Sequence, residues 1–219
     1  MTGKKRVGLL ISGRGSNMRA LVEAARAPGY PAEIAVVVSN RPEAAGLIWA
    51  RDQGLPAIAL DHKAYATREA FEEAMHDALV HHRVELVACC GFLRLMTADF
   101  VDVWRNRMLN IHPALLPSYK GLHTHERALA DGVKIAGCTV HVVRPEMDAG
   151  PIIGQAAVPV LNDDTTETLA ARVLAAEHQL YPAALALFAS GRARVAGERV
   201  VVEGSSATGP PALIWCGGC

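Results

Sequence analysis

Asn110 and His112 stand two residues apart at the end of an apolar run, inside the string Asn110-Ile111-His112-Pro113-Ala114-Leu115-Leu116-Pro117-Ser118-Tyr119-Lys120-Gly121-Leu122-His123-Thr124-His125. In a strand, that spacing sends both side chains to the same face. An amide donor and an imidazole that converge on one point suit a developing oxyanion. Asp148, in Asp148-Ala149-Gly150, supplies a carboxylate which, folded back beside the ring, would favour its charged form. On its own, an Asn-x-His at a strand end is equally consistent with no chemical task.

A second group precedes the first helical pattern. Ser12-Gly13-Arg14-Gly15-Ser16-Asn17 follows an apolar strand and opens a helix. Glycines permit a tight backbone, and the free N–H groups of a helix start attract an anion. Ser16 adds a hydroxyl and Asn17 an amide. Met18 stands where a dinucleotide fingerprint needs its third glycine, and no Gly-Lys-Ser/Thr follows. A single small phosphate fits better than ATP or NAD, although such turns often only connect strand to helix. A third group, Cys90-Gly91-Phe92-Leu93-Arg94-Leu95-Met96, follows the fourth strand candidate. Gly91 permits close backbone approach, and the apolar residues can line a slot for a flat ring or serve as a buried connection.

These groups must be positioned by a scaffold. Val7–Ile11, Ile34–Val38, Ala57–Leu60, Leu86–Cys90, Met108–Ile111 and Cys138–Val143 read as strands. Their continuous Val, Ile and Leu runs suit parallel strands covered on both faces. Asn17–Arg26, Glu43–Gln53, Arg68–His82 and Ala98–Trp104 read as the intervening helices. The alternation predicts an α/β fold, a doubly wound, mostly parallel sheet, with an antiparallel C-terminal addition. That addition starts from a short helix, Glu126–Ala130. It continues as the pair Thr139–Val143 and Ile152–Val160, split by the loop Arg144–Gly150. A long helix, Thr165–Ala189, follows, capped by Asp164 or Thr165, stopped at Gly191, and kinked or divided at Pro182. Residues 1–204 are expected to form one domain, with 205–219 a flexible C-terminal tail.

Composition narrows the function classes. The chain has 219 residues, 51% hydrophobic and 20% charged, so it can bury a sizeable core. Lys and Arg number 22 against 22 Asp and Glu. With no basic stripe, a nucleic-acid surface is not implied. The apolar run before Ser12 is too short for a membrane span or a signal peptide, so a cytoplasmic protein with no membrane partner is expected. Of the five cysteines, Cys89, Cys90 and Cys138 lie in apolar runs and read as buried thiols rather than a disulfide framework. Cys216 and Cys219 lack the second pair that a zinc knuckle needs. Among the nine histidines, His81 and His82 point to different helix faces, and His123 and His125 lack an obvious third ligand. His76, His81 and His141 read as surface or satisfied core groups. No metal is expected.

The string from Asn110 to His125 resembles the signature of the folate-dependent formyltransferases, and the motifs above agree with it in order and spacing from about Arg6 to about Ala196. The Gly121-Leu122-His123-Thr124-His125 ending is similar to the branch that acts on glycinamide ribonucleotide in purine synthesis. Ala114 departs from the serine that relatives often carry. The resemblance implies transfer of a formyl group from 10-formyltetrahydrofolate, a cosubstrate, to the amine of glycinamide ribonucleotide, without metal. It implies that Asn110, His112 and Asp148 are catalytic. It places the substrate phosphate on Gly15, Ser16 and Asn17 and the ribose on Glu177. It places the folate on Leu93, Arg94, Leu95 and Met96, on Asn110, on the loop Arg144, Pro145, Glu146, Met147 and Asp148, and its glutamate tail on Arg68. No Ser or Cys nucleophile with a paired base is evident, so direct attack by the amine is expected. A formyltetrahydrofolate hydrolase would be expected to carry a further domain before the first strand, and a methionyl-tRNA formyltransferase one after the last. A non-catalytic nucleotide-binding module would account for Gly13–Asn17 but not for Asn110, His112 and Asp148 together. A monomer or a homodimer is equally compatible.

Overall fold

The computed structural model describes residues 3–204. Seven strands, β1 (Lys5–Ile11), β2 (Ala32–Ser39), β3 (Ala57–Ala59), β4 (Leu86–Cys89), β5 (Met108–His112), β6 (Ile135–Val142) and β7 (Ile152–Pro159), form one sheet in the order β3-β2-β1-β4-β5-β6-β7. The first five are parallel, and β6 and β7 are antiparallel additions. Strand order reverses between β1 and β4, the switch point at whose carboxyl ends open α/β sheets bind ligands. The loops after β1 and β4 are the Gly13–Asn17 and Gly91–Met96 segments.

Helices cover both faces, which is why the central strands are continuously apolar. One face buries Leu9 and Ile11 of β1 with Met18 and Leu21 of α1 (Ser16–Arg26), Leu47 of α2 (Ala45–Asp52) and Leu169, Val173, Tyr181 and Leu185 of α6 (Thr166–Ala189). The other buries Leu10 and Val38 with Phe71, Met75 and Leu79 of α3 (Arg68–His81) and Phe100 of α4 (Ala98–Val103). Trp104, immediately after α4, joins that second layer. A short α5 (Thr124–Ala130) begins within the end of the Asn110–His125 string.

Several elements depart from the expected bounds. β5 runs one residue further, to His112, so Asn110 and His112 both project from regular strand. β6 begins at Ile135, and α5 begins at Thr124, two residues before Glu126. Pro182 neither divides α6 nor ends it. The helix is held around it: Tyr30 Oη donates to Pro182 O at 2.8 Å, and Tyr181 Oη lies 3.1 and 3.2 Å from the Cys89 and Leu109 carbonyls. Those anchors outweigh one missing rung. Thr165 is the cap, in a reciprocal box with Thr168, while Asp164 grips Arg172 at 2.7 and 2.9 Å. A small hairpin, β8 (Ala193–Ala196) and β9 (Arg199–Val202), was not expected from the sequence, since each strand has only four residues. The expected tail, Cys216 and Cys219 included, lies outside the described residues.

Candidate active site

A cleft of about 750 Å³ opens over the carboxyl ends of β1, β4 and β5, and Asn110, His112 and Asp148 line it together. Asn110 and His112 reach it because β5 carries them on one face. Asp148 reaches it because the loop after β6 folds back tightly. A Cβ on Gly150 would stand 1.7 Å from the Val142 carbonyl oxygen, so only glycine fits there. Asp148 itself adopts a left-handed backbone, φ 50°. Its Oδ2 accepts from Gly121 N at 2.9 Å and lies 3.4 Å from His112 Nδ1. The Tyr119 carbonyl lies 2.9 Å from His112 Nε2. Both neighbours of the ring are acceptors, so a doubly protonated ring satisfies both.

His141, read from sequence as a surface or satisfied core group, is a fourth member of this cluster. It is buried on β6 directly opposite Asn110 in the antiparallel ladder. Its Nε2 lies 3.2 Å from Asn110 Nδ2 and 3.7 Å from Asp148 Oδ1. Burial pushes its pKa down to about 4, against the opposing pull of Asp148. The neutral ring therefore donates Nδ1–H to Val142 O at 3.3 Å and accepts from Asn110 through Nε2. This fixes the Asn110 amide and leaves it one N–H for a ligand. The β5–β6 register that makes the pair is a tertiary fact, invisible in the spacing of the chain.

At the opposite end of the cleft, Gly15 caps α1 with φ 68°, and no side chain bonds to the helix start. The first N–H groups of α1 are therefore left without a capping side chain. Asn17 is buried and donates Nδ2–H to Glu177 Oε2 at 2.6 Å, while its Oδ1 is buried without a partner. Burial raises the Glu177 carboxyl above its ordinary pKa, and the Asn17 bond opposes the rise. Asn17 and Glu177 both line the cleft. Gly15 and Ser16 stand beside it at the helix head and are not part of its wall.

The third portion is apolar. Leu93, Leu95, Leu122 and Met147 line the cleft yet are 68, 64, 72 and 51% exposed, an uncovered apolar rim of the kind that receives a ligand. Arg94, Met96 and Pro145 join it, and the Arg94 guanidinium sits 5.6 Å from the Phe71 ring centre. Arg144 lines the cleft but is buried, with Nε donating to Glu198 Oε2 at 3.2 Å, so its charge is directed at the β8–β9 turn. Glu146 is exposed and lies outside the wall, as does Arg68 at the head of α3. Among the described residues, no group of three or more His, Cys, Asp and Glu side chains is arranged to hold a metal ion, and no helix is long and apolar enough to cross a membrane.

Residues 5–185 match the formyl transferase family. The chain is 48% identical over 188 residues to the human trifunctional purine biosynthetic protein adenosine-3, covering 86% of this chain but only 19% of that protein. It is 39% identical over 187 residues to the phosphoribosylglycinamide formyltransferase of Escherichia coli, covering 85% of this chain and 88% of that one. The crystal structure of glycinamide ribonucleotide transformylase 1 from Symbiobacterium toebii superposes with a TM-score of 0.89 at 46% identity, over 92% of this chain and 95% of that one. Since the match runs from the first residue of β1 to Leu185 in α6, it takes in every side chain of the cleft, and the chain belongs to the formyl transferase family.

Proposed function

We propose that the chain transfers the formyl group of 10-formyltetrahydrofolate to the amine of glycinamide ribonucleotide, a step of purine synthesis. The observation that carries this reading is one cleft lined by chemically distinct groups of residues. Free helix N–H groups with Asn17 and Glu177 suit a phosphoribose. An apolar rim at Leu93, Leu95 and Met147 suits a pterin. Asn110, His112 and Asp148 line the same cleft and would act where the two ligands meet. The unpartnered Asn17 Oδ1 is an acceptor waiting for a donor, as a ribose hydroxyl would supply.

In this mechanism the amine nitrogen attacks the formyl carbon, forming a C–N bond and a tetrahedral oxyanion. Asn110 donates its free N–H to that oxygen, and His112 adds its positive charge. His112 Nε2 can donate directly only when the Tyr119 carbonyl gives way. Asp148, beside His112, serves through a water as the path by which the amine proton reaches N10 of the folate. The bond from the formyl carbon to N10 then breaks. Alignment of two substrates in one cleft supplies much of the rate. Residues 1–204 act as the single catalytic domain, in the cytoplasm, as a monomer or homodimer, without metal. The folate contacts fall on Leu93–Met96 and on the loop Arg144–Asp148, with Arg68 meeting the glutamate tail from outside the cleft wall.

The test is incubation of the protein with both substrates, followed by mass spectrometry of the ribonucleotide. A gain of one formyl group, insensitive to chelator, supports the reading. Release of formate with no gain on the ribonucleotide would favour a hydrolase and overturn it.

A further inference from the structure

We propose that Ser12, oriented by Asn40, is a positioning residue that ties the folate-facing loop to the strand end from which the phosphate loop springs. This rests on the formyl-transfer reading above, which assigns the two loops to two substrates. β1 and β4 run side by side, and beyond their paired residues Cys90 N–H still reaches Leu10 O at 2.8 Å. At Gly91 the chain takes φ 75° and leaves the ladder. Leu93 N–H then finds the Ser12 hydroxyl, at 2.9 Å. A side chain has taken over where the strand pairing stops.

The direction of that hydroxyl is set from the other side. Ser12 Oγ donates its proton to Asn40 Oδ1 at 2.6 Å. A hydroxyl has one proton, so this bond turns its lone pairs toward Leu93. Ser12 and Asn40 are 1% and 2% exposed, so water has no ready route to replace either partner. Asn40 follows β2 directly, and its own carbonyl is held by His62 Nδ1 at 2.9 Å. One relay therefore joins the ends of β2, β1 and β4. Ser12 is also next to Gly13, whose carbonyl accepts from Gly46 N at 3.0 Å at the head of α2. The far end of the folate-facing loop is fixed separately, by buried Glu72, which accepts Thr97 N–H at 2.9 Å and the Thr97 hydroxyl. Of the bonds named, that from Leu93 N–H to Ser12 is the one that reaches the phosphate side.

Neither Ser12 nor Asn40 lines the cleft, so their effect must pass through Leu93. Loss of the relay should let Leu93 shift, weakening the folate side and sparing the phosphate side. The experiment is steady-state formyl transfer by wild type, Ser12→Ala, Ser12→Thr, Asn40→Leu and the double variant Ser12→Ala/Asn40→Leu, with each substrate varied in turn. Ser12→Ala is expected to raise the folate KM roughly tenfold, the worth of one well-made hydrogen bond, and to leave the ribonucleotide KM within about twofold. Ser12→Thr keeps the hydroxyl and should restore the folate KM. Asn40→Leu should act in the same direction, and the double variant should be no worse than Ser12→Ala, because one relay can be lost only once. If Ser12→Ala does not fold, Asn40→Ala carries the same test, since it keeps the hydroxyl and removes what orients it. Parallel rises in both KM values, or an unmoved folate KM, would overturn the proposal. A wild-type protein that transfers no formyl group would instead overturn the reading of the site.

Discussion

The two ends of the cleft are built from different materials. The end proposed to hold the phosphate rests mainly on backbone, a left-handed Gly15 and the head of α1, backed by the buried Asn17–Glu177 side-chain pair at 2.6 Å. The end proposed to hold the folate is side chain: Leu93, Leu95, Leu122 and Met147, all more than half exposed and all on connecting segments. A small anion is bound by dipoles that a strand–helix junction fixes in advance. A flat, largely apolar ligand needs area, which loops can supply and adjust. Substitutions should therefore act on the first end in discrete losses and on the second in graded ones. Between them, Asn110, His112, His141 and Asp148 form a network in which each group restrains another.

The largest break should come from that middle network. Asp148→Asn keeps a residue type that tolerates φ 50° but removes the carboxylate facing His112 and, with it, the proposed proton path. His112→Ala removes the imidazole that faces Asp148. Each should lower kcat by about 100- to 1000-fold, the usual loss for a group that stabilises an oxyanion. The ribonucleotide KM should change little, because the phosphate side of the cleft is not touched, and any rise in the folate KM for Asp148→Asn should be small beside the loss in kcat. Steady-state kinetics with each substrate varied would check this. A loss appearing mainly in either KM would place these residues in binding rather than chemistry.

At the phosphate end, Ser16→Ala should raise the ribonucleotide KM about tenfold, the value of a hydrogen bond to a charged group, and leave the folate KM in place. Glu177→Gln offers a sharper reading. The carboxyl is buried and its pKa is raised, so its charged form opposes folding near neutral pH. The neutral amide should raise the melting temperature while weakening ribonucleotide binding. An amide variant that is both less stable and fully competent would remove Glu177 from the site.

The unequal legibility of the two ends follows from the same contrast. Gly15, Ser16 and Asn17 carry a backbone conformation, and the residues that permit it are few, so the loop shows in the sequence. Asn110 and His112 show because strand periodicity alone puts them on one face. The doubly wound sheet shows because strands covered on both faces must be apolar throughout. At the other end, the residues of Cys90–Met96 leave both a ring slot and a buried connection open, and only family resemblance decides between them, since Leu93 or Met147 in a loop has no distinctive spacing. Arg68 and Arg144 illustrate the loss: one stands outside the wall and the other turns to Glu198, and nothing local in the sequence separates them from Arg94. His141 and Ser12 escaped because their partners, Asn110 and Leu93, are 31 and 81 residues away.

Graded behaviour is expected at the folate end. Leu93→Ala and Met147→Ala each remove apolar area from an exposed rim, where burial on binding is partial. Each should raise the folate KM roughly two- to fivefold, within the range that about 25 cal/mol per Å² allows for a partly covered side chain. The pair should be close to additive, because loop side chains adjust separately. Isothermal titration with a folate analogue would check it. A single substitution that abolishes binding would mean that this end is as rigid as the other.

The smallest effect concerns His141, which links the chemistry to the fold. Burial lowers its folded pKa to about 4, below the 6.5 of an unfolded histidine. Between those values the unfolded chain binds more protons than the native one, so stability falls as pH falls through this window and the effect is complete below about 4. At pH 7 both states hold the neutral ring and the contribution vanishes. At pH 6 it should amount to less than about 1 kcal/mol. His125 and His178 are shifted the same way and Glu177 the opposite way, so the raw stability curve mixes several groups. The difference between wild type and His141→Gln isolates one of them, since glutamine offers Asn110 an acceptor and does not titrate. Urea unfolding from pH 7 to pH 4.5 should show wild type losing stability relative to the variant only below about 6.5. Protonation would also remove the acceptor that fixes the Asn110 amide, so kcat of wild type should fall faster than that of the variant over the same acid range. A difference curve flat across this range would mean that His141 is not the neutral acceptor holding Asn110, and the middle of the cleft would then lose the element that fixes its one free donor.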